Sequence, residues 1–581
     1  MHRLSTKRRF FPALVLFVAW FSASCSDAPD APVVPAAPGY DTIIRGGLVV
    51  DGNGTPGVVA DIGIRGDRIT AVGDLADATG ELEIDANGLV VAPGFINMLS
   101  WSVESLIKDG RGLSDIAQGV TLEVFGEGWS MGPLSDTPET QAMLKRFLGD
   151  DYGEMPWNTL GEYLEYLVSN GVSPNVASFV GATTLRIHEV GFEDRPPTPT
   201  ELENMKELTR QAMEEGAMGL GSSLIYPPAF FASTEELIEL AKVVGEYDGM
   251  YISHMRSEGN RIEQSIEELI TIAREGGVAA EIYHLKMAGK QNWGKLPAVV
   301  KMIEDARAEG LDITTDMYTY VAGGTSLSAC FPPWASDGGE TALLERLEDS
   351  ETRARIIEAM RSDADDWENL YFGAGPGGVL LSQIGEESMS GYVGKTIEEI
   401  AAERETNAED TIIDLIVESN NTIGAVFFLM SEDNVREQLK LPWMSFGSDA
   451  AAVAPEGDVL KQGAHPRAYG NFARLLGHYV RDEQIIPLEE AIFKLSSLPA
   501  RNLKIEDRGL LADGYFADVV VFDSDTIADH ATFAEPHQLS TGMVHVFVNG
   551  EQVLKDGQHT GAMPGRVVRG PGYTVHADDQ P

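Results

Sequence analysis

The stretch "MYISHMRSEGNRIEQSIEELITIAREGGVAAEIYHLKM" (Met250–Met287) holds one complete strand–helix–strand unit. A short apolar run, "MYISHM", comes first. Then follows "IEQSIEELITIAREGG", whose apolar residues recur at helical spacing, and "AAEIYHLKM" returns as a second apolar run. Each apolar run carries a histidine near its end, His254 and His284, thirty residues apart. One strand–helix repeat of a parallel barrel is about that long, so both imidazoles emerge on the same face, at the strand ends where barrel enzymes keep their chemistry. Two such histidines in successive units point to metal ligation rather than to a structural role.

The alternation continues on both sides. "NVASFVG", "ELENMKELTRQAMEEGAMG", "LPAVVKMIEDARAEG" and "DITTDMY" are further strand-like and helical runs in turn. The fold class is therefore α/β, a parallel β/α barrel expected over residues 93–498. Before it, residues 40–92 alternate β-branched runs with Gly/Asp turns, as an antiparallel β-module does. Residues 499–581 have the same texture in "ADVVVFDSDTI" and "MVHVFVNGEQVLKDGQ". Residues 332–440 break the barrel rhythm with charged amphipathic runs and a "GAGPGG" linker. They read as a helical insertion or lid near the barrel mouth, with ordinary barrel helices as the alternative.

The N-terminus has Arg3, Lys7, Arg8 and Arg9, then the short apolar "FPALVLFVAWF", then "SASC". This is the layout of a bacterial export signal over residues 1–25. Cys25 is the expected lipidation site, although Ser22 stands where leucine is usual, and the Pro/Ala-rich residues 26–39 form a tether. The expected location is thus periplasmic or membrane-anchored through the lipid. A net charge of −47 argues against nucleic acid or an anionic membrane surface as partner. With Cys330 the only other cysteine, zinc sites built from three or four thiolates are excluded.

Two more places carry chemistry. "LPWMSFGSDAA" ends an apolar run in Asp449, a general-base candidate with a helix N-cap as its plain alternative. "VVAPGFINMLSWSVESL" (Val90–Leu106) runs an apolar strand into Asn97, Leu99 and Trp101. His465, His478 and His188 are given structural readings, His465 positioning the loop around "HPR".

The motifs "APGFI", "QGVT", "NVASFVG", "SHMRSEG", "YHLKMAG", "DMYTY", "PPW", "GSDA", "HPRAYGNFARLLGHYVRD", "SSLPARN", "DRGLLADGYFADVVVFD" and "PGRVVRG" occur in this order through nearly the whole chain after residue 40. Together they resemble the D-aminoacylases, the N-acyl-D-amino-acid deacylases of the amidohydrolase superfamily. The resemblance implies a distorted (β/α)8 TIM-like barrel, a small β-sandwich built from both ends of the chain, and zinc. It implies that His254 and His284 are metal ligands, that Asp449 is the catalytic aspartate, and that Lys286, Arg467 and Tyr226 line the pocket around an acyl-amino acid with a free carboxylate.

The departures are as informative. The family's H-x-H is replaced by Leu99 and Trp101 and the Asp before it by Asn97, so one zinc per chain is expected instead of two. The family's cysteine ligand is absent too. Glu127, in "GEGW", falls where it would be if one residue is deleted, and Glu123 competes for the same role. A glutamate with two histidines and a water is an accepted zinc set. An apolar wall of Leu99, Trp101 and residues of "SLSACFPPW" is expected to receive the acyl chain. The reading is an exported metal-dependent amidohydrolase that cleaves N-acyl-D-amino acids. Another linear or cyclic amide or dipeptide hydrolase on the same barrel, or an inactive binding lipoprotein, remains open on the sequence.

Overall fold

The computed structural model describes residues 39–135, 137, 140, 144 and 155–574. The export segment, Cys25 and all of the tether but Gly39 lie outside the described residues. Eight parallel strands form the barrel: Phe95–Asn97, Val120–Phe125, Asn175–Ser178 continuing as Val180–Gly181, Gly219–Ser223, Met250–His254, Ala279–Ile282, Ile313–Met317 and Met444–Phe446. Val120–Phe125, Gly219–Ser223 and Met250–His254 are buried at every position, as strands covered on both faces must be. The first and last strands close the ring through Met98 N–H to Phe446 O at 3.1 Å, Asp449 N–H to Leu99 O at 2.8 Å and Trp101 N–H to Ala450 O at 3.0 Å.

The helices cover the ring with one apolar stripe each. Ile262–Gly276 buries Ile262, Ile266, Leu269, Ile270 and Ile272, and it stops at Gly277 in the left-handed conformation. Pro199–Glu214 starts from a reciprocal Thr198/Glu201 capping box with proline in its first turn.

The two ends of the chain meet in one sheet of nine strands. Val90–Pro93 from the N-terminal half pairs antiparallel with Val519–Phe522 from the C-terminal half. The expected small sandwich is therefore one continuous hydrogen-bonded sheet, because this seam joins its halves. Strand alternation gives the seam two duties. Val91, Val519 and Val521 enter the sheet's own core with Ile44, Ile62 and Phe547, whereas Val90, Ala92, Val520 and Phe522 pack towards the barrel.

Between the seventh and eighth barrel strands lies an insertion that carries more than helices. Gly323–Ser326, Ile423–Phe427 and Val379–Ile384 form a three-stranded antiparallel sheet. Leu327, Leu343, Ile356, Ile412 and Phe427 give it a core of its own. It grips the barrel mouth through Glu368, whose Oε2 accepts from Ser257 Oγ at 2.7 Å, Glu258 N–H at 3.1 Å and Gly259 N–H at 3.2 Å.

One buried ion pair ties two outer helices together. Arg186 Nη1 donates to both oxygens of Glu236, at 3.0 and 2.8 Å, with the two side chains 1% and 4% exposed. Arg186→Met leaves Glu236 charged and unpaired in the interior and is expected to cost about 3–5 kcal/mol. The midpoint of urea unfolding reads the loss, and Arg186→Met/Glu236→Leu is expected to recover most of it.

Candidate metal centre

Glu127 reaches the barrel mouth on a turn that only glycines permit. The chain leaves the second strand at Gly126 with φ +107° and passes Gly128 at φ +73°. A Cβ on Gly126 would lie 2.5 Å from Phe179 O, and one on Gly128 would lie 2.5 Å from Ser223 Cβ. The turn is thus pressed against the third and fourth strands with no room for a side chain. Glu123, four residues earlier, is held elsewhere. Asn97 Nδ2 donates to Glu123 Oε2 and to Asp115 Oδ2, both at 3.0 Å, and to Ser448 Oγ at 2.8 Å. Burial raises the pKa of both Glu123 and Asp115, and the charge of Glu123 pushes Asp115 further up.

His254 ends the fifth strand in register with Ser223, and His284 lies two residues beyond the paired Ile282 of the sixth. His254 Nδ1 and His284 Nε2 each stand 2.9 Å from Glu127 Oε1. The two rings meet edge to face with centroids 4.5 Å apart. His284 adopts a left-handed φ of +34°, and its N–H donates to Asp316 Oδ1 at 2.9 Å, which holds the strained residue in place. One nitrogen or oxygen from each of Glu127, His254 and His284 lies within 4.8 Å of the others, the only such group among the described residues. Two imidazoles and a carboxylate suit Zn²⁺, so the donor set fits the metal.

A second carboxylate backs this group. Glu258 Oε1 accepts from Lys286 Nζ at 2.7 Å and lies 3.0 Å from His284 Nδ1, while its Oε2 lies 3.6 Å from His254 Nε2. Burial opposes the charge on Glu258, but Lys286 and the histidines hold its pKa well below the ordinary carboxylate value. Burial likewise opposes the charge of Glu127, and hydrogen bonds from the two imidazoles outweigh it, so that its pKa also falls. Burial and Lys286 both resist a proton on His284, yet Glu258 and Glu127 together push its pKa up to about 10.

Asp449 follows the eighth strand with φ +49°, so it is a strained strand-end residue and not a helix cap. Burial lifts its pKa and the Glu127 charge adds to that, against the pull of Arg467. Arg467 forms an ion pair with Asp449 Oδ2 at 2.7 Å, and its guanidinium stacks 4.5 Å from the Tyr318 ring centre. Arg467 meets Asp449 through Nη1, and its Nε is a buried donor with no hydrogen-bond partner among the described residues. His465 positions this arginine: its Nδ1 accepts the Arg467 N–H at 3.1 Å, which leaves Nε2 to donate to Ala322 O at 2.8 Å. Tyr226 packs edge-on against His254 with centroids 5.4 Å apart.

Two expectations change. Leu99 is fully enclosed among Ile96, Leu122, Val124 and Tyr283, so it forms a floor beneath the site and not an exposed acyl wall. Trp101 presents its polar edge instead of an apolar face, donating through Nε1 to Glu127 Oε2 at 2.7 Å and to Asp449 Oδ1 at 3.2 Å. The sequence reading assigned no role to Glu258 or Asp316. The signals were present in "SHMRSEG", with Glu258 four residues after His254, and in the strand-end aspartate of "DMYTY".

Residues 174–554 match the model of the amidohydrolase family. A D-aminoacylase of Alcaligenes xylosoxydans xylosoxydans is 35% identical over 532 residues, 91% of this chain and 97% of that protein. A solved D-aminoacylase structure, concerned with a binuclear metal centre activated by one metal and attenuated by a second, superposes with a TM-score of 0.76 at 35% identity, covering 91% of this chain and all of that one. An N-acyl-D-glutamate deacylase from Bordetella bronchiseptica, in complex with zinc and a phosphonate mimic of the tetrahedral intermediate, has a TM-score of 0.75 at 30% identity, covering 91% and 99%.

The glycine turn supplies a test of the site's construction. Gly128→Ala displaces Glu127 while leaving both histidines in place, and is expected to weaken zinc binding about 10–100-fold. A chelator-competition titration measures this, with unchanged far-UV circular dichroism as the control.

Proposed function

Because the chain belongs to the D-aminoacylase family of amidohydrolases, we propose that it hydrolyses the linear amide bond of N-acyl-D-amino acids, with one Zn²⁺ held by Glu127, His254 and His284. The products are the acyl carboxylate and the free D-amino acid. The observation that carries this reading is the convergence of three donors from three barrel strand ends on one point. A divalent cation there supplies Lewis acidity, polarising the amide carbonyl and making a nearby water more acidic.

The chain's own residues divide the remaining work. Asp449 takes one proton of the attacking water and returns it to the departing amine nitrogen as the C–N bond breaks. The water's oxygen stays on the acyl carbon with the second proton, which is released when the product carboxyl group ionises. Its raised pKa suits a base that must also give the proton up. Arg467, a buried guanidinium whose Nε has no partner while Nη1 pairs with Asp449, supports recognition of a free carboxylate. Lys286 already neutralises Glu258, so its part is to set the charge around His284, with a substrate contact as a second duty. Glu258 orients His284 from behind and places its other oxygen 3.6 Å from His254 Nε2. Preference for the D enantiomer rests on the family.

We also propose export, supported by the basic and apolar N-terminal segment, with lipid attached at Cys25. Labelled palmitate is expected to enter the protein in cells, and Cys25→Ala is expected to abolish this.

Plasma mass spectrometry is expected to find about one zinc per chain in the wild type, lost in His284→Ala and Glu127→Ala together with hydrolysis of N-acetyl-D-amino acids. Asp449→Asn is expected to keep the zinc while kcat falls about 10²–10⁴-fold. A wild type with neither zinc nor turnover on a panel of D and L substrates would overturn the reading and leave a binding protein.

A further inference from the structure

Glu127 and Asp449 approach the barrel mouth from opposite sides of the barrel's first strand, one on the turn after the second strand and one on the turn after the eighth. Each already has one oxygen committed. Glu127 Oε1 lies between the two histidines, and Asp449 Oδ2 faces Arg467. Their other oxygens, Glu127 Oε2 and Asp449 Oδ1, both face one point between the two residues. Two carboxylates disposed in this way ordinarily share a cation or a proton donor.

What lies between them is the indole N–H of Trp101, 2.7 Å from Glu127 Oε2 and 3.2 Å from Asp449 Oδ1. An indole nitrogen carries one hydrogen, here shared between the two oxygens, and offers no lone pair to a metal. Its backbone is fixed on both flanks. Ser100 N–H donates to Val124 O at 2.9 Å, beside the Glu127 turn, and Trp101 N–H donates to Ala450 O at 3.0 Å, beside Asp449. The same strands that carry the two carboxylates therefore hold the indole between them.

We propose that Trp101 takes the place of a second metal ion, bridging Glu127 to Asp449 with a neutral N–H donor and closing the position between them to cations. Trp101 is then a positioning residue. It aims Asp449 at the reacting centre by fixing its Oδ1, as the ion pair with Arg467 fixes its Oδ2. It also leaves Glu127 Oε1 to the histidines. The inference rests on the reading of Glu127, His254 and His284 as the metal site, and it predicts an enzyme that excess zinc does not inhibit.

The test compares wild type, Trp101→Phe and Trp101→His, each dialysed against rising ZnCl₂, with zinc counted by plasma mass spectrometry and kcat and KM measured in parallel. Wild type is expected to stay at about one zinc per chain with constant activity. Trp101→His places an imidazole between two carboxylates, so a second zinc is expected to bind. Trp101→Phe keeps the bulk and loses the N–H. It is expected to hold the same zinc as wild type while kcat falls about 10–100-fold with little change in KM, as a misaimed base requires. A wild type that loads two ions, or a Trp101→Phe enzyme with wild-type kcat, would overturn the proposal. If wild type binds one zinc but hydrolyses no acyl-amino acid, the proposed reaction fails, and the zinc counts of wild type and Trp101→His still decide whether the indole closes the second position.

Discussion

Glu127 Oε1 stands 2.9 Å from an imidazole nitrogen of each of two histidines, and three barrel strands must agree for that to hold. The second strand must end in a turn tight enough to bring a carboxylate over the barrel axis. The fifth and sixth must end level, which their parallel register provides. A slip of one residue in either pairing would turn an imidazole to the opposite face of its strand. The buried apolar layer of Ile96, Leu99, Leu122, Ile252 and Tyr283 beneath the site resists such a slip.

Charge is the second constraint. The barrel mouth gathers Glu127, Glu258 and Asp449 against Lys286, Arg467 and two histidines, nearly all buried. Carboxylates in such a place stay ionised only when paired or hydrogen-bonded, and each is: two imidazole nitrogens stand 2.9 Å from Glu127, Lys286 pairs with Glu258 and Arg467 with Asp449. Asp449 has the loosest arrangement of the three, and it alone has a pKa above the ordinary value. That difference separates the group suited to exchanging protons from the groups suited to holding a metal and its ligands.

The insertion contributes through one side chain that grips the backbone of a barrel loop. Glu368 collects three hydrogen bonds from Ser257, Glu258 and Gly259, so the loop carrying Glu258 is fastened from outside the barrel. Burial and the neighbouring Glu258 charge lift the Glu368 pKa to about 7. The insertion and the group behind the histidines are thus linked electrostatically as well as by packing. Its three-stranded sheet was not legible in the sequence, because "VLLSQI" and "IGAVFF" are short runs between strong helical patterns that dominated the reading.

The sequence by itself determined the barrel, since strands buried on both faces and helices with one apolar stripe leave unmistakable periods, and it determined His254, His284 and Asp449, since each closes an apolar run. It also showed what was missing, the H-x-H pair and the cysteine. It could not choose between Glu123 and Glu127. They lie four residues apart on one strand and its turn, and only the surroundings distinguish them: Asn97 and Asp115 hold the first, two glycines carry the second over the barrel. The sequence read Trp101 as an apolar loss, because composition records that a ring is present and not where its N–H points. Glu258 likewise gained its role from Lys286 and His284, nearly thirty residues further along the chain. Local period is written in neighbouring residues; the direction of a donor between two distant carboxylates is decided only when the first and last strands of the barrel meet.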